Sequence, residues 1–145
     1  MAEPTLFQNI LSGNIPGNFV ARGENWGAFL DVFPRSEGHT LVVPVNPAKR
    51  INDLSQSELA DLFEGVKETQ NILSQFFETE DFTVVVHDGP LAGQEIPHVH
   101  IHVVPRLEGD GGLALPAMFP NAHPPNPPNF SALSELCQRI EEASK

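Results

Sequence analysis

Three histidines, His98, His100 and His102, alternate with apolar residues in the run PHVHIHVVP over residues 97–105. Strict alternation of polar and β-branched residues is typical of a β-strand, because successive side chains point to opposite faces. We therefore expect the three imidazoles to lie on one face and the interleaved apolar side chains on the other. A row of imidazoles can bind a metal ion, or it can act as nucleophile and acid–base catalyst near neutral pH.

A metal site, a catalytic site and a polar face without function are the three interpretations of this row. Imidazoles two residues apart on a strand are separated by about 7 Å at the backbone, close enough to share one ion, but catalytic zinc more often takes ligands from separate elements. The sequence just upstream, GPLAGQ over residues 89–94, favours catalysis, since a glycine-rich turn leaves backbone N–H groups free to face phosphate oxygens. A neutral imidazole is a good nucleophile toward phosphorus.

Composition limits the partners that the chain can have. Its 145 residues are typical of one domain with a sizeable core. The net charge of −11, with only eight Lys and Arg residues, argues against nucleic acid or an anionic membrane as a partner. Cys137 is the only cysteine, which excludes an intrachain disulfide. No apolar run has the length of a membrane span and the first residues do not resemble a signal peptide, so we expect a cytoplasmic protein.

The remaining sequence predicts the elements that position the histidines. Residues Ser55 and Glu58 form a capping-box pattern at the start of the clearest helix. Residues 108–130 are rich in glycine and proline and are expected to form a loop. The pattern predicts a single α+β domain over residues 1–145, with an antiparallel sheet of about five strands, one long helix and short terminal helices. We predict helices over Pro4–Leu11, Ser55–Phe77 and 131–143, and strands over Phe19–Ala21, Trp26–Phe33, Thr40–Pro44, Phe82–His87 and the histidine run.

Residues 93–106, GQEIPHVHIHVVPR, resemble the signature of the histidine-triad (HIT) superfamily. Upstream, AFLDVFP over residues 28–34 and GHTLVVP over residues 38–44 are similar to the ribose-binding strand and the following strand of that family. The opening segment with GNIP at residues 13–16 matches the start of its domain. The likeness runs from about residue 5 to residue 108 and leaves the tail uncovered.

The resemblance implies a role for each polar residue of the site. His100 would be the nucleophile that attacks the α-phosphorus of a nucleotide derivative, and water would then release the nucleoside monophosphate. His98 and His102 would orient this imidazole and contact phosphate oxygens, and His39 would support the triad from the neighbouring strand. Asp31 would accept hydrogen bonds from the ribose hydroxyls.

The resemblance also implies a binding pocket for the rest of the nucleotide. Gly93 and Gln94 would provide backbone contacts to phosphate. An apolar slot for the base would be formed by Phe7, Ile10, Val32 and Leu41. A core position is an equally good interpretation of Phe7, Ile10 or Leu41 taken singly.

Three departures from the family pattern bear on the chemistry. Many relatives carry Cys-x-x-Cys near the start and bind zinc there; this chain has Thr5 and Gln8, so we predict no structural zinc. His87 replaces a usual Asn or Gln, either as an extra proton donor or as a residue of similar size. Glu95 replaces a usual Ser or Thr and would place negative charge near phosphate.

The resemblance implies a nucleotide hydrolase with a purine nucleotide as substrate. Histidine at the third position resembles the hydrolase branches, where the uridylyltransferases have glutamine. The resemblance also implies a homodimer that pairs through the long helix and an edge strand. We expect no required cofactor; a divalent metal ion would enter only on the substrate phosphates. Dinucleoside polyphosphates and nucleoside phosphoramidates are the two substrate classes, and DGPLAGQ at residues 88–94 resembles the polyphosphate-cleaving branch. A nucleotide-binding regulatory module with little turnover is the alternative.

Overall fold

The computed structural model describes residues 2–145 and divides the chain into two compact units. The first unit ends at Gly112 and contains the sheet and all predicted site residues. The second unit, Leu113–Lys145, contains the proline-rich loop and the last helix. The single domain over residues 1–145 stays a prediction.

The first unit is built around an antiparallel sheet of five strands. The strand order is β1-β2-β3-β5-β4, so β1 and β4 are the edges and β5 lies between β3 and β4. This confirms the α+β class with an antiparallel sheet. The strands are β1 (Phe19–Arg22), β2 (Trp26–Leu30), β3 (Thr40–Pro44), β4 (Phe82–Val86) and β5 (Ile101–Pro105), and the α-helices are α1 (Leu6–Leu11), α2 (Gln56–Phe77) and α3 (Phe130–Ala143).

Helix α2 covers one face of the sheet. Its first turn is closed by a capping box, in which the Ser55 hydroxyl accepts from the Glu58 N–H and the Glu58 carboxylate accepts from the Ser55 N–H. Its apolar side packs against the side chains that alternate with the histidines, which lie on β5 and just before it. This core contains Leu62, Val66 and Leu73 of the helix with Val99, Ile101 and Val103.

The opposite face of the sheet carries a second, smaller core around α1. Phe7 of this helix packs with Phe29, Leu41 and Val43 from β2 and β3. Thr5 caps the helix, since its hydroxyl accepts from the Gln8 N–H. The histidines of the triad lie on this face, which is therefore where chemistry can occur.

Strand β2 is shorter than predicted. The prediction ran through Phe33, whereas the strand ends at Leu30. The Asp31 carboxylate accepts a hydrogen bond from the Phe33 N–H at 2.9 Å, and this local bond competes with the sheet ladder. Val32 and Phe33 thus leave the sheet, whereas the Asp31 N–H still donates to the His39 carbonyl at 2.9 Å.

The histidine run is also not a strand throughout. The structure places only Ile101–Pro105 in β5, so the strand prediction for the residues before Ile101 is wrong. Pro44 on β3 has no N–H to continue the ladder, and the Val99 N–H donates instead to the Ala48 carbonyl at 2.8 Å. The alternation of faces nevertheless holds, as the buried core around Val99 shows.

The second unit begins with a loop and ends in α3. The side chains of Leu113–Lys145 are all exposed, and the Asn129 side chain caps α3 by accepting from the Ala132 N–H. A 3-10 helix at Leu115–Met118 interrupts the loop predicted for residues 108–130. Within residues 2–145, no helix combines the length and apolar character needed to span a membrane.

Candidate active site

The three imidazoles of the triad stand side by side. His98 is fully buried, His100 is 7% exposed, and His102 is partly buried. The Phe7 ring lies 5.5 Å from the His98 ring and 5.0 Å from the His100 ring, between centroids, and the His100 and His102 rings are 5.1 Å apart. The shared face predicted from the alternation is therefore present.

The tautomer of His98 follows from its two partners. Its Nε2 lies 2.8 Å from the Pro44 carbonyl oxygen, which can only accept, so Nε2 carries the proton. Its Nδ1 lies 2.7 Å from the Thr5 hydroxyl. Burial is the main cause that lowers the pKa of His98, which keeps the ring neutral, and the hydroxyl therefore donates to Nδ1.

The tautomer of His100 follows in the same way. Its Nδ1 lies 2.8 Å from the His98 carbonyl oxygen, so Nδ1 carries the proton and Nε2 carries the lone pair. Burial lowers the pKa of His100 more than the Asp31 carboxylate raises it. A neutral imidazole with its lone pair on Nε2 is the form that attacks an electrophile.

His102 receives a hydrogen bond through a chain that begins at the backbone. The Arg35 N–H donates to His39 Nδ1 at 3.1 Å, so the proton of a neutral His39 is on Nε2. That Nε2–H donates to His102 Nδ1 at 2.9 Å, which leaves the His102 proton on Nε2. Burial, with smaller contributions from the charges of neighbouring histidines, lowers the pKa of His102 to about 4.

Asp31 lies beside this pair. One carboxylate oxygen is 3.6 Å from His39 Nε2, and ligand atoms of Asp31, His39 and His102 lie within 4.8 Å of one another. Two imidazoles and one carboxylate form a donor set that zinc accepts. A metal ion there would have to displace the hydrogen bond between the two imidazoles, because each nitrogen is already committed to the other.

The structure brings together three of the four residues predicted to form the apolar slot. Phe7 and Leu41 are buried in the smaller core, and Ile10 packs against it. Val32 is 75% exposed and does not belong to this cluster. Phe7 and Leu41 thus serve as core residues, and contact of any of the four with a base stays a prediction.

The glycine-rich loop differs from the expectation in its hydrogen bonding. It forms a 3-10 turn at Pro90–Ala92, in which the Gly93 N–H donates to the Pro90 carbonyl and the Gln94 N–H to the Gly89 carbonyl. The expectation that both N–H groups are free for phosphate is therefore wrong for this conformation, because closing the turn uses them. Among residues 2–145, the next N–H groups, those of Glu95 and Ile96, have no such partner.

His87 lies between this loop and the triad. Its Nδ1–H donates to the Ala92 carbonyl at 2.6 Å, and its ring centroid is 5.4 Å from that of His102. Because Nδ1–H is used inside the loop, only a doubly protonated His87 could donate from Nε2.

Sequence reasoning missed Thr5 and the Arg35 N–H as partners of the imidazoles. The pattern of threonine followed three residues later by glutamine is a capping box, a signal that marks Thr5 as a cap. No sequence signal indicates that the same hydroxyl reaches His98.

Comparisons with known proteins identify relatives of this chain. The family model for the HIT domain matches residues 12–109. An uncharacterized HIT-like protein of Methanocaldococcus jannaschii is 42% identical over 106 residues, covering 73% of this chain and 81% of that protein. The adenosine 5'-monophosphoramidase of Schizosaccharomyces pombe is 32% identical over 130 residues, covering 90% and 92%. The asymmetrical bis(5'-nucleosyl)-tetraphosphatase of the same yeast is 40% identical over 83 residues, covering 57% and 46%.

Solved structures share the fold. A crystal structure from Streptococcus mutans has a TM-score of 0.84 and 27% identity, and the match covers 100% of this chain and 88% of that one. The Candida albicans histidine triad nucleotide-binding protein has a TM-score of 0.80 at 24% identity, covering 97% and 96%, a likeness of fold alone. With the triad, its buried imidazoles and the match over residues 12–109, this chain belongs to the HIT domain family.

Proposed function

We propose that this protein is a nucleotide hydrolase that cleaves at the α-phosphorus through a covalent nucleotidyl-histidine on His100. The observation that carries the proposal is the 2.8 Å hydrogen bond from His100 Nδ1–H to the His98 carbonyl, because it leaves the lone pair on Nε2. HIT relatives named as a tetraphosphatase and a monophosphoramidase support this reaction class.

The two steps conserve atoms and charge. In the first, the Nε2 lone pair of His100 forms a bond to the α-phosphorus, and the bond to the leaving group breaks with its electron pair. The positive charge that develops on the imidazole is stabilised at Nδ1–H by the His98 carbonyl. In the second, a water oxygen bonds to phosphorus, the P–N bond returns its electron pair to Nε2, and the water proton is released to solvent.

His102 supports departure of the leaving group by hydrogen bonding. Its Nε2–H is a donor, fixed in place by His39, and its pKa of about 4 keeps the ring neutral near neutral pH. A neutral donor stabilises a leaving group that departs as an anion, such as a nucleoside diphosphate, but does not supply the proton that an amine requires. This favours dinucleoside polyphosphates as substrates.

Nucleoside phosphoramidates are the second candidate substrates. The fission yeast monophosphoramidase aligns over 92% of its length, compared with 46% for the tetraphosphatase of the same organism. The two classes differ in their need for a proton on the leaving group, and this difference makes them separable by experiment.

The nucleotide would be held by groups on both sides of the triad. We propose that the N–H groups of Glu95 and Ile96 contact the phosphate in place of those of Gly93 and Gln94, since the former have no partner among the described residues. The Asp31 carboxylate is the proposed acceptor for the ribose hydroxyls. A purine base would enter beside the α1 core, where Phe7, Ile10 and Leu41 pack and Val32 is exposed.

The reaction needs no metal ion in the protein site under this proposal, because His100 is the nucleophile and the neighbouring N–H groups stabilise charge. A divalent ion would enter only with the phosphates of the substrate.

A homodimer is the proposed assembly. Strand β4 is an edge of the sheet and exposes Val84, and helix α2 exposes Phe63 and Phe76. Pairing of two copies through these elements would cover both the sheet edge and the aromatic residues. The cytoplasmic location stays a prediction from the sequence.

The test compares the purified protein with His100→Asn on diadenosine triphosphate and on an adenosine phosphoramidate, in water labelled with heavy oxygen. We expect the wild type to release AMP carrying the label, a faster reaction with the polyphosphate, and no AMP from the variant. A substrate made chiral at the α-phosphorus should react with retention, because two displacements each invert it. Label in the departing ADP would contradict attack at the α-phosphorus, and inversion would contradict the covalent step. AMP binding without turnover would favour a binding module.

A further inference from the structure

We propose that the Thr5 hydroxyl is a positioning group for the nucleophile, because it anchors the His98 ring whose backbone carbonyl holds His100. The catalytic consequence rests on the proposed function, whereas the anchoring itself does not. Thr5 lies at the start of α1, 93 residues before its partner in the chain.

The Thr5 hydroxyl makes two hydrogen bonds of opposite direction. Its oxygen accepts from the Gln8 N–H at 3.0 Å, which caps α1. Its proton goes to His98 Nδ1 at 2.7 Å, because the Pro44 carbonyl already requires the ring proton on Nε2. One hydroxyl thus satisfies an N–H of the helix and the second nitrogen of a fully buried imidazole.

This anchor matters because His98 lies outside the sheet ladder. The last pair of β3 with β5 is Val42 with Ile101, so ladder hydrogen bonds do not hold the His98 carbonyl. The backbone there is fixed by the His98 N–H on the Ile96 carbonyl, by the Val99 N–H on the Ala48 carbonyl and by the two ends of the His98 ring. Loss of one ring anchor would leave a buried acceptor unpaired and free the ring to turn.

Helix α1 therefore connects to the nucleophile in two ways. Its cap bonds the His98 ring, and its Phe7 ring packs edge-on against both His98 and His100. A displacement of α1 would move both contacts together. The position needs a short side chain that both donates a hydrogen bond and accepts one as a helix cap. Threonine and serine do both. Valine does neither, and aspartate cannot donate when it is ionised.

The experiment uses Thr5→Val, Thr5→Ser and Gln8→Ala in the full chain. Gln8→Ala is the matched control: it removes the return bond of the capping box, from the Thr5 N–H to the Gln8 side chain, but leaves the hydroxyl on His98. Nitrogen NMR of the imidazoles reports which ring nitrogen carries each proton, and steady-state kinetics separates kcat from KM.

In the wild type we expect His98 protonated on Nε2 and His100 on Nδ1. Thr5→Val should shift the nitrogen resonance of His98 Nδ1, which loses its donor while the Pro44 carbonyl keeps the proton on Nε2. It should lower kcat about tenfold with KM changed less than about twofold, the pattern of a misplaced nucleophile. Thr5→Ser and Gln8→Ala should keep the wild-type resonance of His98 Nδ1 and a kcat within about threefold of wild type.

An unchanged His98 Nδ1 resonance in Thr5→Val, or an equal loss of kcat in Gln8→Ala, would overturn the proposal. If Thr5→Val does not fold, Thr5→Asp keeps the cap and removes the donor, and it should take His98 out of its single tautomer. If the wild type shows no turnover, the proposed function fails while the nitrogen resonance of His98 Nδ1 still decides the role of Thr5.

Discussion

His39 Nε2 and His102 Nδ1 lie 2.9 Å apart, and a backbone N–H outside both rings determines which of the two donates the hydrogen bond. The Arg35 N–H occupies His39 Nδ1, so His39 must donate and His102 must accept. The main chain of the loop before β3 thereby determines that His102 presents N–H, not a lone pair, from Nε2.

Replacing His39 by leucine should disturb this order. The His102 Nδ1 loses its donor, the ring samples both tautomers, and we expect kcat to fall about tenfold. Nitrogen NMR of His102 and the kinetics of AMP release check this together. Arg35→Ala, which keeps the backbone N–H, is the control, and an equal loss in that variant would mean that the side chain charge is responsible instead.

The rate should be insensitive to pH near neutrality. Burial lowers the pKa of His100 below its ordinary value of 6.5, and that of His102 to about 4, so both rings are already neutral there. We expect the decline of kcat/KM, which reports the free enzyme, to be centred below pH 6.5 because the pKa of His100 is lowered, with a further loss near pH 4 as His102 is protonated. A decline centred at 6.5 or above would contradict the neutral triad.

Stability should fall in the same acidic window. The folded pKa of His102 is about 4 against an ordinary value of 6.5, so the unfolded chain binds its proton first as the pH falls. The contribution of this ring to the free energy of unfolding is present above 6.5 and is lost between 6.5 and 4. Thermal unfolding across this range should show a decreasing midpoint, and His102→Gln should show a shallower decrease; an equal slope would assign the effect to other groups.

Removal of metal ions should leave the protein intact. The imidazoles of His39 and His102 are bonded to each other, and the proposed chemistry uses no ion in the protein. After treatment with a chelator, we expect the same unfolding midpoint and the same rate on a phosphoramidate, which carries no polyphosphate chain for an ion to bridge. A lower midpoint would place a metal ion in the fold.

The sequence predicted those elements whose signals are local and strong. Strand β3 was predicted with its observed bounds, Thr40–Pro44, because it is a compact run of mostly β-branched residues. Helix α2 begins one residue after the predicted start, since Ser55 is its cap. Both have a periodicity or a cap that needs no tertiary partner to be recognised.

The strand predictions are wrong where a local or distant hydrogen bond replaces the backbone pairing of the sheet. Asp31 ends β2 by bonding the Phe33 N–H, and Val99 bonds Ala48 instead of a strand partner. The triad residues could be named from sequence, but their tautomers depend on Pro44, Thr5 and Arg35, which are distant in the chain or contribute only a backbone group. Such contacts become visible only once the chain is folded.

The alternation of core and imidazole side chains along β5 determines what the protein would lose if this strand were misaligned. A slip of one residue in the pairing of β5 with β3 would turn His102 toward α2 and Val103 toward the site. The imidazoles would then be buried among Leu62 and its neighbours, at a cost that the fold could not support. Correct alignment of β5 thus serves stability and chemistry together, because a slipped strand would lose the packed core and the imidazole face at once.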